Sequence, residues 1–462
     1  MKFYRIVVPF LSHIHFPFYE TEGEHDVIVS EETYISHKLN YTITSWDEKT
    51  RLYQETLGRG SYSRTTTSNF FDEFRENSEI DSYMESLLGE GMYKIELSDK
   101  SHEGNSILAY KFNKTSNYKF PKLNLLVSGT LHAREWLSPM TSVYIAHMMK
   151  TNSSILDFAN VFVIPVVNVD GYKYTWSAPT DFNTRYWRKN RQIDCESSNS
   201  KGVDLNRNFN SSWGLDSGSS NDCYRSTYRG TSPFSASETF AVKNFVESIG
   251  NWDGHIDIHA YASVVLGIFA HTFEVSPIHN EQKYYAERMA MVMKNTHGYN
   301  YRYSTQKAFG YTSSGVFPDW MYRRFGAFSY TFEMRPQIGA GYDGFAPPKD
   351  YIPLSGQEGW NGFYQFANDL RQSSSSEPFS PLSPPPLYPL PSLPHPSTPH
   401  PSSPHPSPPH PSSPHPSPPH PSSLIPVILI IIVSIFLTTI CACFVCKMTE
   451  FPIISISFTS ES

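Results

Sequence analysis

Leu123-Asn-Leu-Leu-Val-Ser-Gly-Thr-Leu-His-Ala-Arg-Glu-Trp136 decides how this chain is read. Its opening run, Leu123–Val127, is short and apolar, the pattern of a strand buried on both faces. Directly after it come an imidazole, His132, and a carboxylate, Glu135, three residues apart in a tight turn where both can reach one point. A catalytic zinc takes three protein ligands from His and carboxylates and keeps one position for water, so His132 and Glu135 would need a partner from elsewhere. Alone, a His-x-x-Glu pattern is frequent and carries little.

Outward from that stretch, helix and strand alternate. Ile80, Tyr83, Met84, Leu87 and Leu88 recur at helical spacing, and Val161–Val167 is a second buried-strand run. Ser235 and Glu238 read as a capping box ahead of Val242, Phe245, Val246 and Ile249, which share one helix face. A strand then ends at His259, and Ala327–Phe332 reads as another. Strands separated by amphipathic helices predict an α/β fold, with a mixed, mostly parallel central sheet and helices on both faces. Ligands in such folds gather at strand ends, where His259 sits, although a lone histidine there is more often structural.

The 462 residues are 39% hydrophobic, 15% aromatic and 18% charged, enough for a sizeable core, so the chain as a whole is not disordered. A formal net charge of −7, without a basic cluster long enough to follow a phosphate backbone, argues against nucleic acid as a partner. Near Gln372 the composition turns to Ser and Pro, and a Pro-His-Pro-Ser theme runs through His395, His400, His405, His410, His415 and His420. Proline fixes φ and removes donors, so residues 373–423 are expected to be an extended polyproline stalk. A spacer is favoured there over metal binding, and the Ser/Pro content also suits O-glycosylation.

Residues 424–446 carry no charge and are long enough to span a bilayer as a transmembrane helix, with a buried soluble helix as the alternative. Lys447 follows at once, which predicts a short cytoplasmic tail over 447–462 and a single-pass membrane protein with an extracellular catalytic domain. Met1–Phe18 shows no clear signal peptide. Of the five cysteines, Cys195 and Cys223 fit either a disulfide or two buried thiols. Cys441, Cys443 and Cys446 fit acylation or plain span residues. Sequons at Asn40, Asn113, Asn152 and Asn210 permit glycosylation.

Several separate motifs between about Asn69 and Leu370 resemble the zinc metallocarboxypeptidases, in the A/B (pancreatic carboxypeptidase-like) subfamily. Gly129-Thr-Leu-His-Ala-Arg-Glu-Trp136 is similar to the family's first zinc motif, and the resemblance implies His132, Glu135 and His259 as ligands of one Zn2+ per chain. Arg185-Tyr-Trp-Arg-Lys-Asn-Arg191 resembles the segment whose central arginine, here Arg188, stabilises the oxyanion. Gly202-Val-Asp-Leu-Asn-Arg-Asn208 resembles the clamp on the substrate's terminal carboxylate, which falls to Asn206 and Arg207. Gly310-Tyr-Thr-Ser-Ser-Gly315 supplies Tyr311, the mobile tyrosine that closes over substrate, and Tyr330-Thr-Phe-Glu-Met-Arg335 supplies Glu333 as general base. Arg134 extends substrate binding, and Cys195 and Cys223 flank the clamp as the family's disulfide does.

The implied activity is zinc-dependent hydrolysis of the C-terminal peptide bond of peptides and proteins with a free terminal carboxylate, using a zinc-activated water and Glu333. The implied architecture is an N-terminal region over 1–67, partly resembling an activation propeptide, ahead of a catalytic domain over 68–372. A cut near Arg59 to Arg64 by an activating protease would release the enzyme. The family's specificity position falls on Pro318, with Gln306, Ala270 and Asp257 at other pocket positions. An uncharged floor favours apolar C-terminal residues, whereas Asp257 would attract Lys or Arg if it faced the pocket, with a structural strand-end residue as the equal alternative.

Overall fold

A computed structural model describes residues 3–8, 25–30 and 43–46, and 69–375 apart from 195–201, 216–217, 275 and 306–311. The first three segments are strands β1 (Phe3–Val8), β2 (His25–Ser30) and β3 (Ile43–Trp46), an antiparallel sheet in the order β2-β1-β3. Helix α1 (Asn77–Ser86) follows, and it buries Ile80 and Met84 from the apolar spacing noted above.

Next come β4 (Tyr93–Glu96), β5 (Leu108–Phe112), β6 (Leu123–Gly129), α2 (Leu137–Thr151) and β7 (Ala159–Ile164). Helices α3 (Val169–Ser177), α4 (Phe182–Arg185) and α5 (Ser237–Ile249) lead to β8 (Gly254–Ala260) and β9 (Val264–Leu266). The rest is α6 (His279–His297), β10 (Arg302–Ser304), α7 (Phe317–Phe325), β11 (Phe328–Met334) and α8 (Tyr351–Ser375). Eight strands form one mixed sheet in the order β10-β9-β11-β8-β6-β7-β5-β4. The central strands β11, β8, β6 and β7 run parallel, and antiparallel partners lie towards the flanks.

Every residue of β8 and all of β6 except Asn124 are buried, because helices cover both faces of a parallel core. Close helix packing depends on glycine. A Cβ at Gly356 or Gly359 of α8 would lie 2.3 or 2.6 Å from Tyr144 or Thr141 of α2, and one at Gly362 would lie 2.8 Å from Met293 of α6. An added methyl there would overpack the interface at a cost of roughly 1–3 kcal/mol. A buried ion pair between Arg335 and Glu358, joined by the Tyr301 hydroxyl at 3.0 Å, fastens the chain just past β11 to α8.

Strand β6 lies between β7, which follows it in sequence, and β8, which comes much later. The chain therefore departs to opposite sides of β6, and a crevice opens at the carboxyl ends of β6 and β8.

Three expectations change. The capping box at Ser235 and Glu238 is absent: Ala236 precedes α5 without a side-chain cap. Ser235 Oγ instead accepts from Thr231 N–H and pairs with Asn208, while Glu238 turns inward to Asn190. Helix α8 continues to Ser375, past the expected domain end at 372. The single-pass membrane placement is also corrected: among the described residues no helix is long and apolar enough to cross a membrane. The apolar run at 424–446, the stalk beyond Ser375, the 447–462 tail and the region around Arg59 to Arg64 lie outside the described residues.

Candidate active site

The site begins where β6 stops. Thr130 takes a positive φ of 60°, held by its N–H donating to Ser138 Oγ at 2.8 Å and its hydroxyl donating to Pro165 O at 2.8 Å. That turn delivers His132 and Glu135, and α2 starts immediately behind them. His259 stands near the end of β8, with Glu333 directly across from it in register on β11. All three expected ligands are buried.

His132 Nδ1 lies 2.8 Å from Glu135 Oε1 and 3.1 Å from His259 Nδ1, which is itself 3.0 Å from Glu135 Oε2. The outer nitrogens face carboxylates: His132 Nε2 is 3.1 Å from Asp204 Oδ1, and His259 Nε2 is 2.9 Å from Asp257 Oδ2. With a cation taking each Nδ1 beside Glu135, each Nε2 would carry the ring proton and donate it to its outer carboxylate. Two nitrogen lone pairs and one carboxylate converging in a buried pocket fit a zinc ion, with histidine tautomers fixed from behind.

The electrostatics are those of a compact charged cluster. Burial opposes ionisation of Glu135, but His132 and His259 hold its carboxyl far below the ordinary carboxylate range. Burial likewise opposes charge on Asp204, and Arg188 followed by His132 keeps it well below that range. Arg188 donates through Nε and Nη2 to Asp204 Oδ2 at 3.1 and 2.9 Å, so one buried carboxylate holds both His132 and the arginine beside it.

Arg188, Asn206, Arg207 and Glu333 line one cavity with the three ligands. Asn206 and Arg207 occupy a short 3-10 turn, Leu205–Arg207, capped by Asp204. Arg207 donates to Gly218 O at 2.7 Å and Asn206 O at 3.0 Å, while Asn206 Oδ1 accepts from Phe317 N–H at 3.0 Å. Gly315 is needed there: its φ is +72°, and a Cβ would meet Arg207 O at 2.2 Å. Arg134 lies beside the ligands, with its guanidinium 4.0 Å from the centre of the Phe345 ring. Tyr311, Gln306 and Cys195 lie outside the described residues.

Leu266, Gly267, Ala270, Val316, Pro318 and Thr331 form a largely apolar wall of the same cavity. Asp319 is in that wall too, but it is 1% exposed and both its oxygens accept from Ala270 N–H, at 3.2 and 2.9 Å. Asp257 is not a pocket residue; it is fully buried behind His259. Sequence reasoning gave Asp204 no role and left Asp257 open between a pocket position and a structural strand-end residue, of which the second holds. The available signal was the strict alternation His255-Ile-Asp-Ile-His259, which sets three polar side chains on one face of a buried strand.

Comparison with known proteins agrees with this geometry. The zinc carboxypeptidase family matches residues 80–362. Zinc carboxypeptidase A 1 of Anopheles gambiae is 30% identical over 346 residues, covering 71% of this chain and 74% of that protein. The crystal structure of thrombin activatable fibrinolysis inhibitor aligns with a TM-score of 0.64 at 26% identity, covering 74% of this chain and 85% of the other. Carboxypeptidase A from Helicoverpa armigera shares the fold with a TM-score of 0.67 at 24% identity, over 80% of this chain and 98% of its own.

Proposed function

The chain belongs to the zinc carboxypeptidase family, and from that premise we propose how its own residues divide the work of a metallocarboxypeptidase. The reaction is hydrolysis of the C-terminal peptide bond of peptides and proteins, with Zn2+ as cofactor. Bound zinc supplies a Lewis acid for the scissile carbonyl and lowers the pKa of water. His132 and His259 would hold it through Nδ1, and Glu135 through its carboxylate.

Arg207 and Asn206 take the substrate's free carboxylate, because a guanidinium and an amide together satisfy both oxygens and reject an amidated end. Arg188, oriented by Asp204, faces the oxygen that gains charge as the carbonyl is attacked. Glu333 accepts the proton of the attacking water and returns it to the leaving amine. Tyr311 closes over the bound residue, and Arg134 contacts the chain further along. The apolar wall around Ala270 and Pro318 takes an apolar side chain.

The convergence of two Nδ1 atoms and the Glu135 carboxylate within 4.8 Å of one another carries this reading, because the three have no other common purpose. Its test is release of free amino acids from a mixed peptide set by the full chain, with and without a zinc chelator. Chelator-sensitive release from unblocked ends, with Phe and Leu ahead of Lys and Arg, is expected. Glu333→Gln should lower kcat by about 10²–10⁴-fold with zinc content unchanged. Zinc uptake without any release, before and after trypsin treatment, would leave a binding scaffold instead.

The catalytic domain is assigned to 68–372 together with the end of α8 at Ser375, and Cys195 is assigned to a disulfide with Cys223. The N-terminal strands are assigned to a propeptide, supported by a solved relative that is by name activatable by thrombin. Trypsin treatment should then raise activity as the chain is cut near Arg59 to Arg64; cleavage without a gain removes the propeptide reading.

A further inference from the structure

Behind His259 the sheet interior is polar, where a parallel core is ordinarily aliphatic. Ser128 on β6 lies opposite Asp257 on β8, and Ser329 on β11 lies opposite His255 on β8, each pair in register. All four side chains are fully buried. Ser329 Oγ is 2.8 Å from His255 Nδ1, His255 Nε2 is 2.9 Å from Ser128 Oγ, and Ser128 donates to Asp257 Oδ1 at 2.7 Å. Asp257 Oδ2 meets His259 Nε2 at 2.9 Å.

With a neutral imidazole at His255, proton counting gives each direction. Asp257 can only accept, so the single hydroxyl proton of Ser128 goes to it, and Ser128 Oγ accepts from His255 Nε2–H. His255 Nδ1 is then an acceptor, and Ser329 donates to it. This requires a neutral His255, and burial depresses that imidazole to about 4. The other polar group near His259 Nε2 is Asn206 Nδ2 at 3.4 Å; with Asn206 Oδ1 taken by Phe317 N–H, that nitrogen is a donor and cannot accept from Nε2.

We infer that Asp257 is the positioning carboxylate of the metal ligand His259, and that Ser128, His255 and Ser329 form a buried hydrogen-bond ladder across three strands that holds it there. The inference rests on the reading of His259 as a zinc ligand. Fixing Nε2–H leaves Nδ1 as the free lone pair and sets the ring plane, and outer partners of this kind change metal affinity by about 10–100-fold. Asp257 touches neither the cavity nor the substrate clamp, so its effect should fall on metal retention rather than on turnover of zinc-loaded protein.

The test is zinc competition against a chromophoric chelator with the full chain, for wild type, Asp257→Asn and Ser128→Ala. Thermal unfolding of the zinc-free proteins and kcat/KM at saturating zinc are measured alongside. Asp257→Asn should bind zinc about 10–100-fold more weakly, and Ser128→Ala about 3–10-fold more weakly. Both should keep kcat/KM within about tenfold once saturated. A purely structural role would lower the melting temperature of the zinc-free protein and leave zinc affinity within about twofold of wild type, overturning the inference. If Asp257→Asn does not fold, Ser128→Ala decides by the same criterion. Wild type that takes up no zinc overturns the zinc-site reading itself, whereas tight wild-type binding matched by both variants overturns only the ladder.

Discussion

His132 and His259 turn the same atom to the same point, yet their outer nitrogens are anchored in opposite ways. His132 leans on Asp204, which belongs to the segment after Gly202 and shares its carboxylate with Arg188. His259 leans on Asp257, two residues back on its own strand and backed by Ser128 and His255. One anchor joins the proposed metal site to Arg188; the other joins it to the sheet. Similar carboxylate–histidine contacts can therefore carry different consequences, set by what else the carboxylate holds.

The largest separation should come from Asp204→Asn. It loosens His132 and Arg188 together, so kcat/KM should fall about 10³-fold even at saturating zinc, combining the cost of a lost oxyanion contact with that of a displaced ligand. Steady-state kinetics over a zinc titration would read it. Full recovery at high zinc would make Asp204 equivalent to Asp257 and break the contrast.

What the sequence made legible follows the same division. The apolar runs of β6 and β11 and the ends of β8 could be read because a buried parallel strand is apolar along its length and ligands sit where it stops. His132, Glu135, His259 and Glu333 lie at or just past those strand ends. Asp257 was left open between pocket and strand interior because its surroundings depend on the register of β6 against β8, a pairing that local sequence does not encode. The capping box failed for a related reason: Asn190 offers Glu238 a buried amide at 2.7 Å, and that tertiary contact displaced the local cap. Tyr311 and Cys195 lie outside the described residues, so their expected roles stand as proposals.

A second difference concerns pH. The Arg188 segment is tied to the Asp204 segment by Asn190, whose Oδ1 accepts from Val203 N–H at 2.7 Å and whose Nδ2 donates to Glu238. Burial pushes the Glu238 carboxyl up to about 7 from an ordinary 4.5. Between those values the folded state keeps a proton that the unfolded state has lost, so stability falls as pH rises through that window and levels off above it. The total is at most about 3 kcal/mol. Denaturant unfolding from pH 4 to 8 would read it, and Glu238→Gln should flatten the slope. An unchanged slope in that variant would move the pH sensitivity elsewhere.

The smallest expected effect sharpens the sheet side. Ser329 is the far end of the ladder, four hydrogen bonds from His259. Ser329→Ala leaves the buried acceptor of His255 unpaired and should cost about 1–3 kcal/mol of stability. Zinc affinity should move by less than about twofold, because Ser128 still donates to Asp257 and fixes the carboxylate without help from His255. Parallel chelator competition and thermal unfolding would separate the two quantities. A zinc loss as large as that of Ser128→Ala would mean that orientation is transmitted through the neutral imidazole and across all three strands. The metal site would then depend on the proton arrangement of the whole ladder rather than on its last link.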